Sequence, residues 1–324
     1  MRPRSTWGAA AGVAALGVAV AVAAIVAAPR SPGRPSGGTA RIVVPAPDRT
    51  RPGLSSSVVV AAAGDIACPP GRPATPVSCQ QRATADLVAA LHPSAVLTLG
   101  DNQYRSGGLA SHRAAYGPTW GRFLAGTYPT PGNHEYRTPG AAGYFDYFGA
   151  RARTRGEGWY SYQLGAWHVV ALNSNCWAVD CRAEVAWLRA DLAAHPARCT
   201  LAYWHHPRFS SGWEGGTRSV APFWSARYAA GADLVLNGHD HDYERFAPQD
   251  PQGRADPAKG LRELVVSTGG APALPLRATR PNSQVRQGDV FGVLRLTLEP
   301  RGYRWTFVRA AGAAFTDHGS ASCH

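Results

Sequence analysis

The stretch that decides the fold runs from residue 232 to residue 246 and reads ADLVLNGHDHDYERF. It begins with an apolar run, which is typical of a strand buried on both faces, and the run ends at a glycine. His239 and His241 follow directly and flank Asp240. Because a His-x-His pair also occurs by chance, its meaning depends on whether other strand ends in the chain supply partners.

Four other apolar runs also end on residues that can bind a metal ion. These runs are SVVVAAAGD (57–65), AVLTLGD (95–101), YPTPGNHE (128–135) and CTLAYWHH (199–206). The candidate residues at or just after their ends are Asp65, Asp101, Tyr104, Asn133, His134, His205 and His206. Each has an ordinary alternative role, such as a helix N-cap for an aspartate. Because ligands gather beyond the carboxyl ends of strands in α/β folds, the five endings together predict one site.

The rest of the pattern predicts a layered α/β domain. Helical stretches near 80–91, 110–125 and 182–194 separate the apolar runs, as in a sheet covered by helices. Three later stretches, ELVVSTGG (263–270), FGVLRLTLEP (291–300) and YRWTFVRA (303–310), predict consecutive antiparallel strands.

The N-terminus predicts export. Arg2 and Arg4 precede an uncharged stretch of Ala, Val and Gly up to residue 28, which is typical of a signal peptide or an uncleaved membrane anchor. Residues 29–55 are rich in Pro, Gly and Arg and predict a linker, so we expect the folded domain to span 56–324. The protein is then secreted or held at the cell surface, with a membrane contact only through an uncleaved N-terminus.

Composition supports a folded protein and does not favour a nucleic-acid partner. Hydrophobic residues make up 45% of the 324 residues, enough for a substantial core. The net charge of +12 comes almost entirely from arginine, with Lys259 as the single lysine, and we attribute it to coding bias.

The cysteines suit an exported protein. There are six, an even number, so disulfides are expected, and proximity in the sequence favours pairing Cys68 with Cys79 and Cys176 with Cys181. Cys199 and Cys323 are left as the third pair. A thiolate zinc site is the alternative, but the chain contains no CxxC pair.

The chemistry of the candidate ligands predicts a pair of metal ions. Carboxylates, an amide oxygen and imidazoles suit zinc, iron or manganese, and there are more of them than the four ligands of one tetrahedral zinc ion. Two ions bridged by an aspartate would bind all of these ligands. Such a pair lowers the pKa of a bound water and neutralises the oxygens of a phosphate ester.

The set GDNQY (100–104), GNHE (132–135), HHP (205–207) and GHDHDYER (238–245) resembles the calcineurin-like metallophosphoesterases, most of all their purple acid phosphatase branch. This resemblance implies a four-layer αββα sandwich with mixed sheets and a two-metal site at its edge. It corresponds to the compact form, since residues 29–55 cannot hold an additional N-terminal β-domain.

The resemblance also implies roles for single residues. One ion would be held by Asp65, Tyr104 and His241, and the other by Asn133, His205 and His239, with Asp101 bridging them. A tyrosine ligand implies Fe(III) at the first position, with Zn(II), Fe(II) or Mn(II) at the second. His134 would act on the substrate as a catalytic group, with Asn133 also on the substrate side. His206 would either contact the substrate as well or only pack and form hydrogen bonds. Arg208 and Arg218, in the loop that follows, are weaker candidates for holding substrate phosphate.

These inferences predict an exported phosphoesterase that hydrolyses a small phosphate monoester, as acid phosphatases do, by attack of a metal-activated hydroxide. Two alternatives stay open: a phosphodiesterase or nucleotidase using the same site, and a non-catalytic metal-binding surface protein.

Overall fold

The computed structural model describes residues 57–154, 156–310 and 314–324. The predicted signal or anchor (1–28) and the linker (29–55) therefore lie outside the described residues. Within the described part, no helix is both long and apolar enough to cross a membrane.

Strands of the described residues form two sheets. In chain order they are β1 (Val58–Ala63), β2 (Ala95–Leu99), β3 (Thr127–Thr130), β4 (Tyr160–Leu164), β5 (Trp167–Ala171), β6 (Cys199–Trp204), β7 (Leu234–Asn237), β8 (Tyr243–Phe246), β9 (Arg262–Val266), β10 (Ser283–Gln287), β11 (Gly292–Glu299), β12 (Gly302–Arg309) and β13 (His318–Ser322). The first sheet has the order β13-β12-β11-β1-β2-β3 and the second the order β10-β8-β9-β7-β6-β5-β4.

Both sheets are mixed. In the first, β1, β2 and β3 run parallel, while β11, β12 and β13 add antiparallel strands. In the second, β5, β6, β7 and β9 run parallel, with antiparallel partners at the edges. The predicted run of consecutive antiparallel strands is therefore wrong for β9. Its buried apolar run lies parallel to β7, in a different sheet from β11 and β12.

Helices cover the outer faces. They are α1 (Gln81–Leu91), α2 (Leu109–Ser111), α3 (Ala142–Phe148), α4 (Cys181–Ala194) and α5 (Ala221–Ala229). A π-turn (His112–Tyr116) and 3-10 segments (Trp120–Gly126, Glu135–Arg137, Pro139–Ala141, Gly149–Ala152 and Arg218–Val220) complete the described helical structure. The helix predicted near 110–125 is interrupted, because Pro118 has no N–H to continue the hydrogen-bond ladder.

Alternate residues of the central strands face two different cores. Val169 and Leu201 pack toward the first sheet, whereas Val170 and Ala202 pack with α4 and α5. The side-chain alternation of a strand thus buries both faces. With α1 packed on β11 and β12 of the other sheet, the layers run helix, sheet, sheet, helix, which confirms the predicted fold class.

All six cysteines form disulfides. The bonds join Cys68 to Cys79, Cys176 to Cys181 and Cys199 to Cys323. The three predicted pairings are confirmed, and the thiolate zinc site is wrong because no thiolate remains.

Candidate metal centre

The two sheets meet where the candidate ligands lie. Gly64, just after β1, donates its N–H to the Val266 carbonyl at the end of β9, at 2.9 Å. Gly238, just after β7, donates to the His205 carbonyl just after β6, also at 2.9 Å. The parallel strands of both sheets therefore bring their carboxyl ends to one edge, as expected for an α/β site.

One group of side chains surrounds the Tyr104 hydroxyl. This hydroxyl donates to Asp65 Oδ1 at 2.8 Å and lies 2.9 Å from His241 Nε2. His241 Nε2 is in turn 3.4 Å from Asp65 Oδ1. The three residues assigned to the first ion are thus adjacent in space, although 137 residues separate the tyrosine from the histidine.

A second group surrounds the fully buried His205. Its Nε2 atom lies 3.0 Å from Asn133 Oδ1, 3.2 Å from His239 Nδ1 and 3.5 Å from Asp101 Oδ2. One ligand atom each from Asp65, Asp101 and His205 lies within 4.8 Å of the others, so Asp101 stands between the two groups.

Backbone carbonyls fix how the imidazoles face the site. His205 donates its Nδ1–H to the Leu99 carbonyl at 2.9 Å, and His241 donates Nδ1–H to the Pro272 carbonyl. Each ring therefore presents the lone pair of Nε2 toward the carboxylates. This is the arrangement in which histidines hold metal ions, with the second nitrogen oriented by an outer partner.

Four candidate ligands have a left-handed backbone, which is uncommon for residues other than glycine. The φ angles are 58° for Asp65, 47° for Asp101, 85° for His239 and 55° for His241. Such conformations cost free energy and concentrate at functional sites. Sharp turns after the strands aim these side chains back at the sheet edge.

The buried carboxylates favour positive charge at this site. Burial opposes protonation of His205, but Asp101 outweighs it and raises the pKa of His205 to about 9. Burial and the two carboxylates together hold the pKa of the Tyr104 phenol well above 10.0, so the phenol needs a neighbouring cation to ionise. The donor atoms, their short distances from one another and the negative charge of the carboxylates all fit metal ions of the zinc, iron or manganese type.

His134 and His206 lie beside these groups in different settings. His134 donates Nδ1–H to the Arg105 carbonyl at 2.6 Å, which leaves Nε2 3.8 Å from Asp101 Oδ2 in the open cavity. His206 shares a 2.8 Å hydrogen bond with the Ser174 hydroxyl, and its ring centre is 4.4 Å from that of His239. A nitrogen of His206 lies within 4.8 Å of those of His205 and His239, so His206 could also be a ligand.

The site opens into a cavity of about 560 Å³. Tyr104, Asn133 and His134 line its floor, and the Cys68–Cys79 disulfide lines one wall. Three exposed arginines that the sequence analysis did not single out also line it: Arg72, Arg105 and Arg137. In contrast, Arg208 and Arg218 line a different cavity.

Glu135 has a role that the sequence pattern did not predict. This buried carboxylate accepts the Gly132 N–H at 2.7 Å and the Gln103 N–H at 3.2 Å. It therefore ties the GNHE loop to the GDNQY loop. Its position inside the GNHE stretch was the one feature of the sequence that pointed to this role.

A model of the calcineurin-like phosphoesterase family matches residues 58–243, more than half of the chain. The chain belongs to this family. The matched region contains every residue proposed above as a metal ligand.

Purple acid phosphatases are among its relatives. The chain is 26% identical over 201 residues to purple acid phosphatase 21 of Arabidopsis thaliana, covering 55% of this chain and 46% of the relative. It is 30% identical over 192 residues to purple acid phosphatase 15 of the same plant, covering 47% and 36%. The chain thus spans less than half the length of these relatives.

Solved structures share the fold. Purple acid phosphatase PPD1 from yellow lupin seeds superposes with a TM-score of 0.64 at 19% identity, over 84% of this chain and 55% of the lupin chain. GAP50, described as the anchor in the inner membrane complex of Plasmodium, gives 0.61 at 13% identity, over 83% and 89%. At these identities the likeness shows the fold alone.

Proposed function

We propose that the protein is an exported, two-metal phosphoesterase that hydrolyses phosphate monoesters. The observation that carries the proposal is the convergence of two ligand groups on Asp101, with His134 beside them. In this proposal Asp65, Tyr104 and His241 would hold Fe(III), and Asn133, His205 and His239 would hold Zn(II), Fe(II) or Mn(II). Asp101 would serve as a ligand to both ions. Bound there, the ions would supply a nucleophile from water and offset the negative charge of the phosphate.

The residues around the ions would orient the substrate and move its proton. His134 Nε2 faces the cavity because Nδ1 is held by the Arg105 carbonyl. Burial lowers the pKa of His134. In its protonated form, the ring can donate Nε2–H to the phosphoryl oxygens or protonate the leaving oxygen from this position. Asn133, which is half-buried at the cavity floor, contributes a donor N–H from the amide that also offers Oδ1 to the second ion.

The cavity favours a monoester over a diester. A phosphate monoester carries up to two negative charges near neutral pH, whereas a diester carries one. Arg72, Arg105 and Arg137 make no ion pair within the described part of the chain, and Glu214 is the one acidic residue among the outer lining. Coulomb attraction to these arginines therefore favours the more highly charged substrate.

A non-catalytic metal-binding role is the second candidate, since the anchor protein GAP50 has the same fold. His134 argues against it. A purely structural metal site has no use for an imidazole that binds no ion and whose free nitrogen faces an open cavity.

Hydrolysis of two substrates by the metal-loaded protein tests the proposal. p-Nitrophenyl phosphate should be hydrolysed faster than its bis ester, and Asp101→Asn should abolish turnover. Asp289→Asn, at an exposed site outside the cavity lining, is the matched control and should keep the wild-type rate. Asp101→Asn activity within a few-fold of wild type would rule out the two-metal mechanism.

Two further measurements separate the metal and substrate assignments. Tyr104→Phe should remove a violet absorption band if this side chain binds Fe(III), and a colourless, fully active wild-type protein would contradict that metal. The double variant Arg105→Gln/Arg137→Gln should raise KM for the monoester more than for the diester, whereas the exposed control Arg309→Gln should change neither. An equal effect on both substrates would show that the arginines do not select the monoester.

Export is part of the same proposal and is supported by the three disulfides, which persist in oxidising compartments. N-terminal sequencing of the protein recovered from the culture medium or the membrane fraction tests it. Cleavage near residue 28 would establish secretion, an intact N-terminus in the membrane fraction would establish an anchor, and recovery in the cytosol alone would contradict export.

A further inference from the structure

A second cavity, separate from the metal centre, lies beside the loop that follows β6. It measures about 310 Å³ and shares no lining residue with the metal cavity. Arg208, Arg218 and Arg280 line it together with Gln249 and Gln252. A cavity of this size is at the small end for ligand sites, and suits a small ion or the end group of a larger molecule.

The lining carries three arginines that form no ion pair among the described residues. None of Arg208, Arg218 and Arg280 forms an ion pair with a carboxylate in the described residues. Arg280 donates Nε–H to the Ser210 carbonyl at 3.3 Å, and the Arg208 guanidinium stacks on the Phe209 ring at 4.6 Å. Like charges that share a cavity repel one another, and a bound anion would offset that repulsion.

The nearby carboxylates are engaged elsewhere. Glu263 is fully buried and accepts the backbone N–H groups of Arg208 and Phe209. Asp250 accepts from the Arg254 side chain at 2.6 Å. The pKa of Arg208 is lowered, first by burial and then by the charge of Arg218, although Glu263 partly opposes this. Arg208 and Arg218 line the same cavity.

Two buried donor atoms of residues that line this cavity also lack partners. Gln249 is 1% exposed, and its Nε2 atom has no hydrogen-bond acceptor among the described residues. The amide cannot simply be reversed, because its Oε1 already accepts from Asn282 Nδ2 at 3.1 Å. Arg208 Nε is likewise buried without an acceptor. An unpaired buried donor destabilises the fold, so these N–H groups indicate a missing acceptor.

We propose that this cavity is a second anion site that binds a phosphate group. Guanidinium groups present paired N–H donors that match the oxygens of phosphate, and the Gln249 amide adds a further donor from the buried side. Free inorganic phosphate and the terminal phosphate of a small ester share this chemistry. The site does not depend on metal ions or on the reaction proposed above.

Equilibrium dialysis with radiolabelled inorganic phosphate tests the proposal on the full, metal-loaded chain. The wild type should bind one more phosphate per chain than the double variant Arg218→Gln/Arg280→Gln, in which affinity at this site should fall at least tenfold. Arg309→Gln, at an exposed arginine outside both cavities, should bind like the wild type. Equal stoichiometry and affinity in the double variant and the wild type would overturn the proposal.

A second readout separates this site from the metal centre. The inhibition constant of phosphate against p-nitrophenyl phosphate hydrolysis should stay within about twofold in the double variant, because the two cavities share no residue. A loss of binding accompanied by an equal rise in that constant would place the lost phosphate at the metal centre and overturn the proposal. Gln249→Leu, which removes only the buried donor, should weaken phosphate binding in the same direction.

Competition distinguishes the two sources of phosphate. The comparison uses Asp101→Asn, which should not hydrolyse the ester. If glycerol 3-phosphate displaces the label from this cavity as well as unlabelled phosphate does, the cavity accepts the phosphate of a larger molecule. If only inorganic phosphate displaces it, the cavity is closed around the free ion. Either result supports a phosphate site, whereas displacement by chloride at equal concentration would show a nonspecific cationic surface and refute it.

Discussion

Gly132, in the GNHE stretch, offers a way to disturb the metal centre without replacing a ligand. A Cβ atom at this position would lie 2.1 Å from Asp101 Oδ1 and 2.4 Å from the Asp101 backbone nitrogen. Since real Cβ contacts below 3.0 Å are essentially never seen, the Asp101 carboxylate must move by about 1 Å in Gly132→Ala. A misplacement of this size costs about a hundredfold in rate, or roughly 2.7 kcal/mol in the activation free energy.

The assay compares kcat/KM for p-nitrophenyl phosphate with the metal content of the same sample. Gly132→Ala should lose about a hundredfold in activity, together with weaker retention of the second ion on dialysis. Gly108→Ala is the matched control, because a Cβ there meets nothing within 4 Å and its φ of −64° suits any residue. Overpacking also costs about 1–3 kcal/mol of stability, so both variants are assayed well below their melting temperatures. Wild-type activity and metal content in Gly132→Ala would refute the proposed position of Asp101.

Three other predictions concern stability and metal dependence. Loop-closure entropy predicts that removing the Cys199–Cys323 disulfide, which spans 124 residues, lowers the free energy of unfolding by about 5 kcal/mol. Removing Cys176–Cys181, which spans 5 residues, should lower it by only about 2 kcal/mol. Equal losses in urea unfolding of the two double-alanine variants would contradict this. Burial holds the pKa of Glu184 well above 4.5, so ionisation destabilises the fold as pH rises through that raised pKa. Glu184→Gln should therefore gain stability over wild type as the pH rises above 4.5 toward that raised pKa in thermal unfolding, and a pH-independent difference would argue against it. Prolonged dialysis against a chelator should abolish turnover and metal addition should restore it, while full activity of metal-free protein would exclude a metal-dependent reaction.

Local patterns were sufficient to predict much of the fold. Apolar runs such as AVLTLGD mark strands buried on both faces, and that burial is a property of the run itself. The short edge strand β10 and the last strand β13 escaped prediction because their residues are largely polar and half-exposed. The placement of β9 depends on its pairing with β7, a long-range contact that no local pattern encodes.

The candidate site was also predicted only in part from the sequence. The residue types of Asp65, Asp101 and His239, each following a strand, were enough to predict that they converge. The arginines at the cavity rim gave no such signal, since the chain is rich in arginine throughout. Only the folded chain shows that Arg137 faces the metal cavity and Arg208 faces another.

By itself, then, the sequence was sufficient to predict the family, the candidate metal ligands and the two disulfides between neighbouring cysteines, because each depends on residue type, order or proximity along the chain. Only the tertiary structure decided which nitrogen of His205 faces the carboxylates, since the Leu99 carbonyl that orients the ring belongs to another sheet. It also decided that Gln249 is a buried donor without an acceptor. Hydrogen-bond partners and shared cavities come from segments far apart in sequence, and only folding brings them together.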